Sequence, residues 1–373
     1  MKHLIVCCDG TWQTLRQKTP TNVAMLAMYL TGADTTADST CGAPQIVYSD
    51  SGVGAEFDAD DDTFMDAVKD KITSMLGGAI GDGLEEKIFD AYRFLACNYE
   101  PGDKIYVFGF SRGAFTARSL CGLIYASGLV SRSRLDWIDE AYDMYRSEAV
   151  KPDDKEARDF RASHGQRVPV EMLGCFDTVG MNGMPNLFDN LPFDRFFNRS
   201  HGFHDCKISH TVKRARHACA LDEDRKLFPL TAMQPSGKAP DDQVVEMWFP
   251  GHHGGVGGGE RDARPFADAA LLWMVREAEA AGLSFNPDLH DIARPDPLAG
   301  MPRPKGLQKS GNRSRTLPKP VAGARLHQSV KARYFAMEDW RPDCLAPLFP
   351  ALDEERDTWL ESSISPDTRP EAV

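Results

Sequence analysis

Near-continuous apolar runs recur along the chain, and each stops at a polar or glycine-bearing turn. Residues 4–8, 105–108, 170–176 and 244–249 have the length of strands and little polar alternation. That is the pattern of strands covered on both faces. Residues 46–48 read as a shorter strand of the same kind. Between these runs the apolar positions change to helical spacing. Ile88, Tyr92 and Leu95 share a face within 85–99, and Phe115, Leu120, Leu123 and Ile124 recur within 112–127. Leu271, Leu272 and Val275 do so within 267–281. Strands of about five residues alternating with helices predict an α/β fold with a mainly parallel sheet and helices on both faces.

Two stretches break the rhythm. Residues 181–210 are rich in Gly, Asn and Pro and bring Phe188, Phe193, Phe196, Phe197 and Phe203 close together in sequence. They read as an inserted loop that either packs on the body or forms an apolar lid. Residues 286–320 hold seven prolines and the basic run 305–315, an irregular excursion rather than a domain. No internal repeat is present, so 1–361 is expected to form a single domain, with 362–373 a polar tail.

Composition narrows the function class. With 42% hydrophobic residues in a chain of 373, a large core needs no staples. A net charge of −12 argues against a nucleic-acid partner, which requires a concentrated basic face. The nine cysteines are odd in number and form no C-x-x-C pair, which points to a reducing compartment. The apolar run at 4–8 is too short for a signal peptide and no stretch has the length of a membrane span. The protein is therefore expected to be cytoplasmic when made, with any export by a signal-independent route and any membrane contact at the surface only.

Chemistry concentrates where the strand at 105–108 ends. It runs into Gly109-Phe110-Ser111-Arg112-Gly113, followed by a helical pattern. A serine on such a strand–turn–helix elbow projects its hydroxyl above the sheet. Gly109 and Gly113 flank it because side chains there would collide with neighbouring backbone. Ser111 is the expected nucleophile and the Arg112 N–H the first oxyanion donor, at a helix N-terminus. A bare glycine-rich turn is the competing reading.

A serine nucleophile needs an acid and a base, in the chain order Ser, Asp or Glu, His for this kind of fold. Asp177 follows the strand 170–176 and so lies at the same sheet edge as Ser111, although it could equally cap the following turn. Asp222 is the reserve candidate. For the base, Pro250-Gly251-His252-His253 and the glycines after it leave the strand 244–249 at that edge. His253 is preferred, with His252 and His327 as alternatives. His201, His204, His210 and Cys206 superficially resemble a metal site, but their spacing fits no standard zinc pattern and no metal is expected. The glycine run offers no dinucleotide fingerprint, because the third glycine would fall on Glu260 or Asp262. Cys8-Asp9-Gly10-Thr11-Trp12 follows the first strand, and the Gly10 or Thr11 N–H is the candidate second oxyanion donor. A plain strand-ending turn is the alternative. No cofactor is needed for this chemistry.

Taken together, these motifs resemble the catalytic domain of the type VI secretion phospholipase effectors, long grouped as the bacterial and fungal domain of unknown function 2235. The resemblance rests on Val6 to Trp12 with Thr21-Asn22-Val23, on Ala91 to Leu95, on Gly109 to Arg118, and on Phe176 to Gly180. His217-Ala218, Leu221 to Glu223 and Trp248 to Gly251 with its His and Gly run complete it. It implies an α/β-hydrolase-like fold and a Ser–Asp–His esterase, in some members a phospholipase A, with Ser111, Asp177 and His253 at the matching positions. An ester or phospholipid is the implied substrate. An immunity protein or secretion-apparatus component is the implied partner if the protein is an effector. One departure stands out: the family's usual His-Ser-Asp-Val-Gly-Gly-Gly reads His253-Gly254-Gly255-Val256-Gly257-Gly258-Gly259 here. A catalytically weak or silent partner-binding protein, or an esterase of small soluble esters, are the alternatives.

Overall fold

The computed structural model describes residues 1–10, 18–32, 43–50, 79–147, 149–179, 207–226, 228–237, 240, 242–302, 314–318 and 324–363, without the side chains of 79–84 and 357–363. Seven strands form the central sheet: β1 (His3–Cys8), β2 (Gln45–Asp50), β3 (Lys104–Phe110), β4 (Val170–Phe176), β5 (Val212–Ala220), β6 (Val244–Phe249) and β7 (Arg325–Leu326). They lie in the order β7-β6-β5-β4-β3-β1-β2 and every pairing is parallel. The fold is α/β, as the alternation of apolar runs and helical patterns requires.

β1 shows how both faces are covered. Leu4, Val6 and Cys8 join a core with Tyr92 and Leu95 of the helix Ala79–Asn98 and with Leu120 and Ile124 of the helix Arg112–Ser127. The intervening Ile5 and Cys7 point the other way. They meet Val23 and Leu26 of the helix Asn22–Tyr29 and Met274 and Val275 of the helix Arg264–Ala280. A third, smaller cluster of Leu221, Trp248, Leu317, Val330 and Leu345 closes the β6–β7 side of the sheet.

The sequence pattern does not announce β5. Val212–Ala220 carries Lys213, Arg214, Arg216 and His217, so it reads as a polar segment. It nevertheless occupies an interior position between β4 and β6. Two of the polar side chains find partners on other elements: Arg216 pairs with Glu277 of the helix Arg264–Ala280, and His217 bonds to Glu246 of β6. β3 also runs two residues further than the expected strand. Gly109 and Phe110 continue the ladder opposite Cys175 and Phe176.

From β1 the chain moves outward to β2 and then returns to β3 on the other side of β1. β1 and β3 therefore sit at a switch point, where open α/β sheets form a crevice at the carboxyl ends of their strands. Because all seven strands are parallel, Asp9, Ser111, Asp177 and the turns after β5 and β6 all leave the same edge. No helix among the described residues is long and apolar enough to cross a membrane.

Candidate active site

Ser111 sits one residue beyond β3 and caps the helix Arg112–Ser127 with φ 57° and ψ −120°. L-residues rarely adopt such a backbone, and it persists only when its surroundings dictate it. Here they do. The Ser111 N–H donates to the Phe176 carbonyl at 3.1 Å, and its own carbonyl accepts from Phe115 and Val179. The elbow also approaches β1 backbone to backbone. A Cβ on Gly113 would lie 2.1 Å from the Cys8 carbonyl oxygen, and one on Gly109 2.4 Å from the Gly113 oxygen. Both flanking glycines are therefore fixed by contact, as the elbow pattern requires.

Asp177 leaves β4 with its own positive φ of 35°. Its N–H donates to the Ala218 carbonyl at 2.7 Å, and its Oδ1 accepts from the Ala220 N–H at 3.0 Å. Its Oδ2 lies 2.7 Å from His253 Nδ1 and also accepts from Arg315 Nη2 at 2.7 Å. His253 opens the short helix His253–Gly257 after β6, and its N–H donates to Glu223 Oε2 at 3.0 Å. The ring is held between Phe110 and Phe228, with centroids 4.6 Å and 4.9 Å away. Glu223 in turn carries a two-pronged pair with Arg225, whose guanidinium covers the Phe228 ring. No hydrogen bond joins the Ser111 hydroxyl to the His253 ring among the described residues.

Charge follows from these contacts. Burial alone would push the Asp177 carboxyl up. The Arg315 guanidinium, the His253 hydrogen bond and the Ala220 N–H more than offset it, and Asp177 is held well below the usual carboxylate range. Burial pushes the His253 imidazole below 6.5, against the opposing pull of Asp177 and Glu223. The two shifts describe one resting state, an ionised carboxylate beside a neutral imidazole, with the Nδ1 proton turned toward Asp177. A base needs that state.

The other candidates occupy different roles. His252 Nε2 pairs with Glu260 at 2.9 Å, and His327 caps the helix Gln328–Ala336 by accepting from the Ser329 N–H. Asp222, the reserve acid, accepts from the Gly251 N–H and from Trp340 Nε1, so it braces the turn before His252. The Gly10 N–H donates to Asp9 Oδ1 at 2.7 Å, which turns it to its own neighbour rather than to the elbow. Burial raises that Asp9 carboxyl to about 6 against the hydrogen bonds from Thr21 and Gly10. Thr11 lies outside the described residues. So do His201, His204 and Cys206, together with all of 181–206 in the segment expected to be a loop or lid. His210 meets the Tyr125 ring edge-on.

The Gly254-Gly255 departure has a local explanation. A Cβ on Gly254 would lie 2.4 Å from Glu260 Oε1. The Glu260 side chain thus fills the space that a serine at 254 would take, and supplies the carboxylate for His252. A Cβ on Gly255 would be 3.6 Å from His252 Nδ1, a buried atom with no hydrogen-bond partner among the described residues.

Two features escaped the sequence reading. His217 Nε2 accepts from the Thr178 N–H at 3.0 Å while Nδ1 meets Glu246 at 2.9 Å, a relay that braces the residue after Asp177. With Cys219 these residues bring metal-ligand atoms within 4.8 Å of one another, but both His217 nitrogens are already engaged. The second is Arg315, at the end of the basic run assigned to an irregular excursion. Only the folded chain brings it to Asp177.

Comparisons with known proteins agree with the motifs. The uncharacterized protein YEL023C of Saccharomyces cerevisiae is 28% identical over 307 residues, 80% of this chain and 41% of the relative. The chain thus spans about two fifths of that relative's length. Two solved structures are similar at low identity. An uncharacterized protein from Pseudomonas aeruginosa is 17% identical, covering 79% of this chain and 49% of its own, with a TM-score of 0.42. The Tle1 effector bound to the VgrG spike of the type 6 secretion system is 15% identical, covering 80% and 77%, with a TM-score of 0.41. The family model of the type VI secretion phospholipase effector Tle1-like catalytic domain matches residues 2–277, and the chain belongs to that family.

Proposed function

We propose that the protein is a serine hydrolase of carboxylic esters, lipase- or phospholipase-like, working through Ser111, His253 and Asp177. The observation that carries this reading is the 2.7 Å Asp177–His253 bond at the sheet edge where Ser111 is held at φ 57°. Ser111 Oγ attacks the ester carbonyl carbon while His253 Nε2 takes its proton. Collapse of the tetrahedral intermediate breaks the bond to the leaving alcohol, which receives that proton and leaves an acyl-Ser111. Water, deprotonated by His253, then releases the acid and restores the serine. Asp177 keeps the Nδ1–H tautomer and stabilises the imidazolium. The Arg112 N–H, at the N-terminus of its helix, is the proposed oxyanion donor, and Thr11 the proposed second.

Family membership supports a phospholipid as substrate, and the Phe110 and Phe228 rings beside His253 suit an apolar acyl group. It also makes a secretion-apparatus component and an immunity protein the partner classes to test. Hydrolysis of a short acetyl ester and of a micellar phospholipid by wild type and Ser111→Ala examines the reading. Turnover of both by wild type alone is expected, rising on phospholipid as micelles form. Turnover of the short ester only would leave a general esterase. No Ser111-dependent turnover of either would leave a partner-binding protein.

A further inference from the structure

Asp177 has the hydrogen bonds a triad acid needs without any help from Arg315. Oδ1 takes the Ala220 N–H and Oδ2 meets His253. Yet Arg315, itself only 7% exposed, reaches in from the stretch 314–318 and donates a further bond to Oδ2 at 2.7 Å. The stretch is anchored beside β5 and β6 by Leu317, which packs with Cys219, Leu221 and Trp248. Among the described residues the guanidinium is poorly provided for: Nε and Nη1 are buried and meet no hydrogen-bond partner there. A buried cation with two orphaned donors is a weak device for stability, since desolvation opposes the Coulomb gain. Among the described residues its one hydrogen bond goes to the acid of the candidate triad.

We propose, on the hydrolase reading above, that Arg315 is a positioning residue: it pins the Asp177 carboxylate and, by its charge, makes His253 a weaker base. When His253 takes the Ser111 proton, the new imidazolium is stabilised by Asp177 and opposed by Arg315. The relay therefore carries a neutralised acid, and the free base survives further into acid than an unpaired Asp would allow. The other charged groups facing this relay are Glu223, which favours the imidazolium, Arg225, which disfavours it, and Glu260, whose carboxylate also interacts with His253 and favours the imidazolium. Cys219 and Cys344 also feel the Arg315 charge, but burial keeps both thiols protonated, that of Cys344 pushed up to about 12. Neither changes charge where His253 titrates. Proton uptake belongs to the Asp177–His253 pair, and removing a neighbouring cation raises it whichever member holds the proton.

The test uses the full chain with Arg315→Met and Arg315→Lys, read in two ways. One is the pH profile of kcat/KM on a short ester. The other is the NMR titration of the His253 ring, assigned by its loss in His253→Gln, which needs no turnover. Arg315→Met is expected to move the acid limb and the ring titration upward by about one pH unit, the size of effect a single adjacent charge produces. Arg315→Lys, which keeps the charge, is expected to leave both near wild type. A folded Arg315→Met with unmoved limb and ring titration overturns the proposal, as does an Arg315→Lys that shifts as far as Arg315→Met. Should Arg315→Met fail to fold, Arg315→Gln must show the same rise, and an unmoved titration in it counts equally against the proposal. Absence of Ser111-dependent hydrolysis in wild type would remove the hydrolase reading alone, and the ring titration would still decide the effect of Arg315.

Discussion

Asp177 Oδ2 and His253 Nδ1 lie 2.7 Å apart although 76 residues separate them in the chain. Each leaves the carboxyl end of a parallel strand, with one further strand between them. The meeting is fixed at both sides. The Asp177 N–H is tied to the Ala218 carbonyl, its Oδ1 to the Ala220 N–H, and the His253 N–H to Glu223. Two aromatic rings then leave the imidazole little room to turn. The pair is thus built into the sheet edge rather than resting on a free loop.

Asp177→Asn removes more than a tautomer preference. It also strips Arg315 of its counter-ion in a buried site. Turnover is expected to fall by about four orders of magnitude, as in serine proteases with that change. Stability should fall by about 3–5 kcal/mol, the usual cost of orphaning one member of a buried pair. Denaturant midpoints check the second part. Adding Arg315→Met to Asp177→Asn should recover much of the lost stability, and a single variant as stable as wild type contradicts the buried pair.

Gly257 guards the proposed base, His253, at second hand. A Cβ there would lie 1.9 Å from the Phe110 ring, and that ring packs against His253. Gly257→Ala must push Phe110 toward the imidazole or shift the helix His253–Gly257. Overpacking of this kind costs about 1–3 kcal/mol. The expected result is a loss in kcat of tenfold or more in a protein that still folds, measured on a short ester. Wild-type kcat in this variant would mean that the ring does not position the base.

Much of this arrangement is legible in the sequence because its signals are local. The buried strands are apolar runs, the elbow is a serine between two glycines after a strand, and Asp177 and His253 each follow a strand end. What stays hidden depends on distant partners. β5 looks polar because Arg216 and His217 are satisfied by Glu277 and Glu246, residues on other elements. Arg315 looks like one more basic residue in a proline-rich stretch, and nothing near it in sequence points to Asp177. Glu260 likewise stands six residues beyond Gly254, whose missing side chain it replaces.

Acid should weaken the proposed hydrolase activity in a defined window. His253 must be neutral to accept a proton, and burial holds its imidazole below 6.5. The acid limb of kcat/KM is therefore expected below pH 6.5, with Asp177 still ionised throughout it. Stability follows the same linkage. The unfolded chain binds a proton at His253 more readily than the folded one, so stability declines as pH falls below about 6.5. Asp177, depressed in the fold, contributes fully above its unfolded value near 3.8 and loses that contribution only as pH drops toward its folded value. An acid limb above pH 6.5 on a short ester would contradict the neutral, buried base.

The central claim, that Ser111 is the nucleophile, is tested most directly by covalent labelling. Wild type and Ser111→Ala are incubated with a fluorophosphonate, and adducts are located by mass spectrometry of the intact chain and of its peptides. The account predicts one adduct on wild type, borne by the peptide carrying Ser111, and none on Ser111→Ala. It also predicts that His253→Gln, which removes the base, labels far more slowly than wild type. An adduct on another residue, or undiminished labelling of Ser111→Ala, would contradict it.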